Sequence, residues 1–416
     1  MAEMIELKEQ EERVILVAVS TGEDDDTATS VDELEELAST AGAVTVGKVI
    51  QNRENVHPGT YLGKGKIEEV KELLWELDAT GIICDDELSP AQLKNLEDTL
   101  DTKVMDRTMV ILDIFASRAR TREGKIQVEL AQLRYRAVRL VGLRNSLSRL
   151  GGGIGTRGPG EKKLEVDRRL IHERISQLKS ELEDVKRHRE VVRKKRENGG
   201  ALTAAIVGYT NAGKSTLLNR LTQAGILAED KLFATLDPTT RALTLPGGER
   251  VLLTDTVGFI RKLPHHLIEA FKSTLEEAKY SDVILHVVDC SNPQMDMQMH
   301  VVYETLRQLE ITDKEIVTVF NKIDREGADP AGRDMAADYR VKISAKTGEG
   351  LPDLLGVLET ILRSRRIYFE KVFSYAEAGR IQRIRKNGRL LSEEYKEDGI
   401  HVTAYVSVEL FEELYR

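Results

Sequence analysis

The chain has 416 residues, 41% apolar and 31% charged, which describes two or three highly charged globular domains and excludes a disordered or fibrous protein. No stretch reaches the ~18 consecutive apolar residues of a membrane span. The acidic start Met1-Ala2-Glu3-Met4-Ile5-Glu6 is no secretory signal, and two cysteines, Cys84 and Cys290, make neither a disulfide scaffold nor a structural zinc site. The expectation is a cytoplasmic protein, with peripheral membrane association left open. The net charge of −9, taken whole, argues against a polyanionic partner.

Residues 12–117 alternate short apolar runs with helical patterns. Val14-Ile15-Leu16-Val17-Ala18-Val19 is a buried-strand candidate, followed by an acidic loop from Glu23 to Asp26. Ser30-Val31-Asp32-Glu33 fits the capping box that opens a helix through Leu34 and Leu37. Val44, Val46 and Val49-Ile50 suggest a strand, Ile67 to Leu77 a helix, Gly81-Ile82-Ile83-Cys84 another strand, and Val104-Met105 the last. Ser89-Pro90 is an N-cap followed by proline at the first helical position. Such alternation implies a small α/β domain over 1–117 with a largely parallel sheet.

Residues 118–197 read as a basic helical arm. Between 118 and 196 there are 23 Lys and Arg against 10 Asp and Glu, a local net of +13 that leaves −22 for the rest of the chain. Positive charge confined to one segment of an acidic body is the footprint of an element that faces a polyanion. Ile126, Leu130, Leu133, Ala137 and Leu140 form one apolar stripe, and Ile171, Ile175, Leu178, Leu182, Val185 and Val192 another. Two antiparallel helices zipped along those stripes, with the Gly-rich run 151–160 at the tip, make an arm roughly 45 Å long at 1.5 Å per residue. Asn198-Gly199-Gly200 follows as a hinge.

The unit over 198–366 carries the chemistry. Ala204-Ala205-Ile206-Val207 is a strand running into Gly208-Tyr209-Thr210-Asn211-Ala212-Gly213-Lys214-Ser215, with Thr216 and a helix behind it. That is GxxxxGK[ST] in the context a phosphate loop needs. Backbone N–H groups and the helix N-terminus take up the β-phosphate, Lys214 bridges the β- and γ-phosphates, and the Ser215 hydroxyl ligates Mg²⁺. The strand Val251 to Thr254 ends in Asp255-Thr256-Val257-Gly258, where the carboxylate would hold Mg²⁺ through water and the Gly258 amide would sense the γ-phosphate. Ile316 to Phe320 ends in Asn321-Lys322-Ile323-Asp324. A carboxylate at Asp324 accepts from guanine N1–H and the exocyclic amine together, a donor pair adenine lacks, so GTP is selected over ATP. The Lys322 stem would lie over the base. Ser344-Ala345-Lys346, after the strand Val341 to Ile343, can present its backbone to guanine O6.

Between the first two motifs lies Phe233-Ala234-Thr235-Leu236-Asp237-Pro238-Thr239-Thr240-Arg241. A switch I loop must put a threonine on Mg²⁺ and the γ-phosphate, and the residues alone leave Thr235, Thr239 and Thr240 open. After Gly258 stand Phe259 and Ile260, where Ras-type GTPases keep the glutamine that orients the attacking water. Neither side chain forms hydrogen bonds, so no catalytic residue is assigned, intrinsic hydrolysis should be slow, and a partner is expected to complete the site or reorder switch II. The tail, 367–416, is expected to be a small α+β domain, with Gly388 as a helix C-cap, Asp398-Gly399 as a hairpin turn and His401 to Val406 alternating as an edge strand.

The order GYTNAGKST, LFATLDPTTR, DTVGFI, NKID, SAK resembles the HflX family of translational GTPases. So do Gly59 to Lys66, Asp106-Arg107-Thr108, RARTREGKIQVELAQL from Arg118 to Leu133, and GGGIGTRGPGEKK from Gly151 to Lys163. The likeness spans residues ~12–366. It implies an α/β HflX domain, a helical arm, a Ras-like G domain and a C-terminal domain, and gives the switch I Mg²⁺ ligand to the threonine of FATLD, Thr235. It further implies binding to the large (50S) ribosomal subunit near the peptidyl-transferase region, with splitting of stalled ribosomes under stress and ribosome-stimulated hydrolysis. A basic arm suits rRNA phosphates, read by charge and shape, and Arg157, Lys162 and Lys163 are the expected tip contacts. Gly63-Lys64-Gly65-Lys66 lacks a GK[ST] run or an acidic partner, so it reads as a loop or rRNA contact before a second nucleotide site. Nothing obligate points to an oligomer, so a monomer is expected. Two other functions stay open: a GTPase of 50S assembly, and a GTP-gated anti-association module without essential turnover.

Overall fold

The computed structural model describes residues 11–22, 26–150, 159–197, 202–222, 231–264, 267, 275, 277–328 and 332–415. The chain divides into two compact units. The first comprises Met1–Val185 together with Glu229–Asp237 and Ile260–Thr274, and the second holds the remainder.

The first unit opens with β1 (Arg13–Ser20), α1 (Thr27–Ala41), β2 (Val44–Asn52), α2 (Lys64–Glu76), β3 (Gly81–Cys84), α3 (Pro90–Leu100), β4 (Lys103–Asp106) and α4 (Arg107–Arg118). The strands stand in the order β2-β1-β3-β4, all parallel. Parallel neighbours need crossovers, which puts helices on the faces and makes the strands apolar throughout: β1 is buried from Val14 to Val19. On one face Ile15, Val17, Ile82 and Val104 meet Ile67, Val70 and Leu74 of α2 and Leu96 and Leu100 of α3.

Two local expectations need correction here. Ser30 does not cap a helix. The helix starts at Thr27, and the buried Ser30 hydroxyl donates to Asp85 Oδ2 at 2.7 Å. The Ser-x-x-Glu spacing suits a cap equally well, and a tertiary partner decides the matter. The helix read from Ile67 begins earlier, at Lys64, with Gly63 at its N-cap and the Gly63 amide donating to Gln51 Oε1 at 2.9 Å. The Ser89 cap is formed as a full capping box with Gln92.

Next come α5 (Arg122–Leu150) and α6 (Pro159–Glu197), the latter passing out of the first unit after Val185. Ile126 and Leu130 of α5 pack on Leu178 of α6, with Leu133, Ile175 and Leu182 beside them. Glu129 accepts two hydrogen bonds from Arg174, at 2.8 and 3.0 Å, and Glu181 pairs with Arg122 at 3.8 Å. A step forward along α5 is therefore a step back along α6, so the helices are antiparallel.

The second unit contains β5 (Leu202–Gly208), α7 (Lys214–Thr222), β6 (Thr239–Thr244), β7 (Arg250–Asp255), β8 (Val283–Asp289), α8 (Met295–Gln308), β9 (Glu315–Asn321), β10 (Tyr339–Lys342) and α9 (Leu351–Ser364). Its sheet runs β10-β9-β8-β5-β7-β6, parallel except for β6 against β7. β5 lies centrally, and its C-terminal end delivers the chain into the loop before α7. Leu217 and Leu218 of α7 and Leu354, Leu358 and Ile361 of α9 pack on Ile206, Leu253, Leu285 and Val319.

The tail adds β11 (Arg366–Phe373), α10 (Ala378–Asn387), β12 (Arg389–Lys396), β13 (Gly399–Ser407) and α11 (Val408–Tyr415). Its antiparallel sheet has the order β11-β13-β12. His401 to Val406 thus lies in the central strand and not at an edge. The unforeseen strand is β11, whose mixture of aromatic and charged residues hides its period of two. Gly388 does occupy the C-cap of α10, but with extended backbone in place of the left-handed turn.

Among the described residues the apolar seam between α5 and α6 is small, so each member counts. Leu178 is 1% exposed, and Leu178→Ala should destabilise the helix pair by about 2–4 kcal/mol through the cavity it leaves. Chemical denaturation followed by far-UV circular dichroism measures this. A change below about 0.5 kcal/mol would mean that the helices are not zipped there.

Candidate functional site

In the second unit the loop Gly208 to Gly213 leaves β5 and enters α7, and glycine is required at both ends of it. Gly208 has φ +155°, and a Cβ there would run into the Val287 carbonyl. Gly213 has φ +95°, and a Cβ there would overlap the Asn321 side-chain amide. Within the loop Asn211 also takes a left-handed φ of 60°, which asparagine tolerates better than most residues. The backbone is thus curled so that successive amides and the N-terminus of α7 share one concave face, a ready anion cradle.

Lys214 is buried and curls back over this loop, donating from Nζ to the Tyr209 carbonyl at 2.7 Å and to the Gly208 carbonyl at 3.2 Å. Burial pulls its ammonium down to about 8; Asp255 acts in the opposite sense, and Lys322 adds to the fall. Ser215 Oγ donates to Asp255 Oδ2 at 2.7 Å. Asp255 ends β7, beside β5, where Ile206 pairs with it. Thr256 anchors the next turn by donating to the Ile206 carbonyl at 2.8 Å. Gly258 comes so close to the loop that a Cβ would stand 2.8 Å from Thr210 Cα and 3.0 Å from Lys214 Nζ. Phe259 is buried, and its backbone does the joining: its carbonyl accepts from the Thr210 amide at 2.7 Å and its amide donates to Gly208 at 3.1 Å. The residue standing where a glutamine would orient water therefore serves as a stitch between two loops.

Asn321, at the end of β9, is 2% exposed. Its Nδ2 donates to the Ala212 carbonyl at 2.9 Å, and its Oδ1 accepts from the Ala345 amide at 2.9 Å. One side chain thereby ties the phosphate loop to the Ser344-Ala345-Lys346 turn. Lys322 has φ +68° and pairs with Asp289 of β8 at 2.7 Å. Asp324 is exposed, and the hydrogen bond from Ser344 holds its carboxyl below the usual range. Ser344 is buried, and its Oγ accepts from the Thr347 amide at 3.1 Å. So Gly208 to Thr216, Asp255 to Gly258, Asn321 to Asp324 and Ser344 to Lys346 all stand at strand C-terminal ends of one sheet, the edge where such sheets bind ligands.

Other residues fall elsewhere. Phe233, Ala234, Thr235, Leu236 and Asp237 belong to the first unit, as does the segment Ile260–Thr274. Arg157 lies outside the described residues, and Lys162 and Lys163 lie on α6 with side chains that are not described. Sequence reasoning missed Asp289, because β8 was not read as a strand. It also missed Lys262, whose Nζ lies 2.8 Å from Asp86 Oδ1 and also pairs with Asp85. Burial opposes the charged Asp85 carboxyl, but Arg107 and Lys262 outweigh it and hold it below its ordinary range.

A six-stranded sheet with one antiparallel edge, a glycine-curled loop before α7, a carboxylate on the adjacent strand and an Asn-Lys-x-Asp turn tied to Ser-Ala-Lys define a P-loop GTPase. Comparison with known proteins takes this further. Residues 28–116 match the family described as GTP-binding GTPase N-terminal, 118–196 that of the GTP-binding GTPase middle region, and 203–322 that of the 50S ribosome-binding GTPase. The GTPase HflX of Lacrimispora saccharolytica is 77% identical over 414 residues, covering 100% of this chain and 98% of that one. The GTPase HflX of Escherichia coli K12 is 45% identical over 350 residues, covering 83% and 82%. Among solved structures, a GTP-binding protein from the archaeon Sulfolobus solfataricus in complex with GDP is 24% identical, with a TM-score of 0.44, covering 84% of this chain and 98% of that chain. The chain belongs to the HflX family and is a GTPase.

The lowered Lys214 gives a pH signature. An anionic polyphosphate beside the ammonium favours its charged form and raises its pKa. The complex then holds a proton that the free protein loses above pH 8, so binding should take up most of a proton at pH 8.5 and almost none at pH 6.5. Affinity for GDP should fall with rising pH across that window. Calorimetric titration in two buffers of different ionisation enthalpy reads the uptake, with Lys214→Met as the control that abolishes it. Equal uptake at both pH values would contradict the assignment.

Proposed function

We propose that the protein, as its GTP complex, binds the large ribosomal subunit and splits or rescues stalled 70S ribosomes, hydrolysing GTP under ribosomal stimulation. The observation that carries this reading is the arm: a helix pair with a local net of +13 on a body of −22. Neutralising rRNA phosphates is what such a segment does best, and the acidic remainder, repelled by RNA, favours one docking orientation over diffuse attachment. The match of 203–322 to a family described as 50S ribosome-binding points the same way. In this reading 1–117, 118–197, 198–366 and 367–416 act as N-terminal domain, arm, G domain and tail, and Arg157, Lys162 and Lys163 contact rRNA at the arm's tip.

At the nucleotide site the proposed roles follow the geometry. The loop from Gly208 to Gly213 wraps the phosphates, Lys214 turns from the loop carbonyls to the phosphate oxygens, and Asp324 reads guanine. The Ser215 hydroxyl and the Asp255 carboxylate, 2.7 Å apart, are hard oxygen donors of the kind Mg²⁺ takes, with Asp255 acting through a water. Thr235 is the third ligand by family resemblance. Bound there, Mg²⁺ would neutralise charge on the phosphates. No side chain at Phe259 or Ile260 activates water, so turnover of the isolated protein is slow.

Incubation with 70S ribosomes and a non-hydrolysable GTP analogue, followed by gradient sedimentation, tests this. The 70S peak should fall, the 30S and 50S peaks rise, and the protein travel with 50S; with GTP, turnover should rise at least tenfold over basal. Attachment only to immature 50S particles would replace the reading with a role in assembly. Splitting without stimulated turnover would make the protein an anti-association module.

A further inference from the structure

Residues 231–237, the segment that carries Thr235, are packed at the foot of the arm within the first unit. Leu232, Phe233 and Leu236 are buried, and the Phe233 ring stands edge-on to Phe115 of α4 at 4.7 Å between centroids. Asp237 meets the start of α5. Its Oδ2 accepts from the Arg120 and Thr121 amides, each at 2.9 Å, and its Oδ1 accepts from the Thr121 hydroxyl. Thr121 Oγ1 in turn accepts from the Gly124 amide at 2.9 Å. The amides at a helix start lack partners within the helix, and a carboxylate there is favoured by the helix dipole as well. Here that carboxylate comes from a loop more than a hundred residues further along the chain. Gly124 is part of the fit: a Cβ at that position would overlap Asp237 Oδ1 and stand 3.2 Å from Thr121 Oγ1.

Thr235 and Asp237 are two residues apart, a span of at most ~7 Å. While Asp237 stays on the start of α5, Thr235 cannot leave the foot of the arm. We infer that Asp237 is a positioning residue for GTP hydrolysis: it moors switch I to the N-terminus of α5, so that the nucleotide state is felt at the arm and displacement of the arm is felt at Thr235. This rests on the reading of Thr235 as the Mg²⁺ ligand. The mooring is short-range and specific, with three donors on one carboxylate, and Gly124 leaves the space it needs.

The first measurement reads the arm without ribosomes. Hydrogen exchange at the Arg120 and Thr121 amides is compared in full-length protein bound to GDP and to a non-hydrolysable GTP analogue. Wild type should show at least a tenfold difference in exchange rate between the two states. Gly124→Ala, which pushes the carboxylate off, and Thr121→Val, which removes one donor, should cut that difference to under twofold while GDP affinity stays within twofold of wild type. The unchanged GDP affinity separates lost coupling from a damaged fold. Stimulation of turnover by 50S subunits should fall at least tenfold in both variants. An exchange difference that is absent in wild type, or that persists in both variants, overturns the inference. Absence of 50S stimulation in wild type would instead count against the ribosomal reading alone.

Discussion

The buried side-chain amide of Asn321 joins two loops at the strand ends of the second unit's sheet. It gives its N–H to the phosphate loop at Ala212 and takes the N–H of Ala345 in the Ser344-Ala345-Lys346 turn. A buried amide must satisfy both ends, and one left without partners costs ~1–3 kcal/mol. The two loops are thereby fixed to one group at the end of β9. Gly213 follows from the same constraint, since the amide occupies the space a Cβ would need.

The same economy governs the ends of the other strands. Asp255 holds the Ser215 hydroxyl, Thr256 returns a hydrogen bond to β5, and Phe259 stitches the turn after Gly258 to the loop through its backbone. The residues proposed to sense the nucleotide state are organised differently. Switch I and the segment after Phe259 fold with the first unit, through Asp237 on the start of α5 and Lys262 on Asp85 and Asp86.

Much of this was legible in the sequence, for reasons that differ between parts. The phosphate loop could be read because its requirements are local: glycines for left-handed backbone, a strand before and a helix behind. The α/β class followed from buried parallel strands, which are apolar along their whole length, as Val14 to Val19 are. What stayed hidden depends on distant partners. Ser30 sits in a cap-like spacing, but Asp85, 55 residues on, makes it an interior residue. His401 to Val406 alternates like an edge strand, and its central place follows only from the pairing with Arg366–Phe373. Asp237 looked like one member of a switch motif, and nothing in the sequence connects it to Thr121.

We propose that this sheet edge reads guanine through the carboxylate of Asp324. Replacing it by asparagine exchanges an acceptor for a donor, so Asp324→Asn should no longer take up the N1–H and amine of guanine and should favour a base with a carbonyl in place of that amine. Competition binding with GTP and xanthosine triphosphate measures this directly. Affinity for GTP should fall at least 100-fold, about 2.7 kcal/mol, while affinity for xanthosine triphosphate should rise. Unchanged GTP affinity in the variant, or equal loss of both nucleotides, would contradict it.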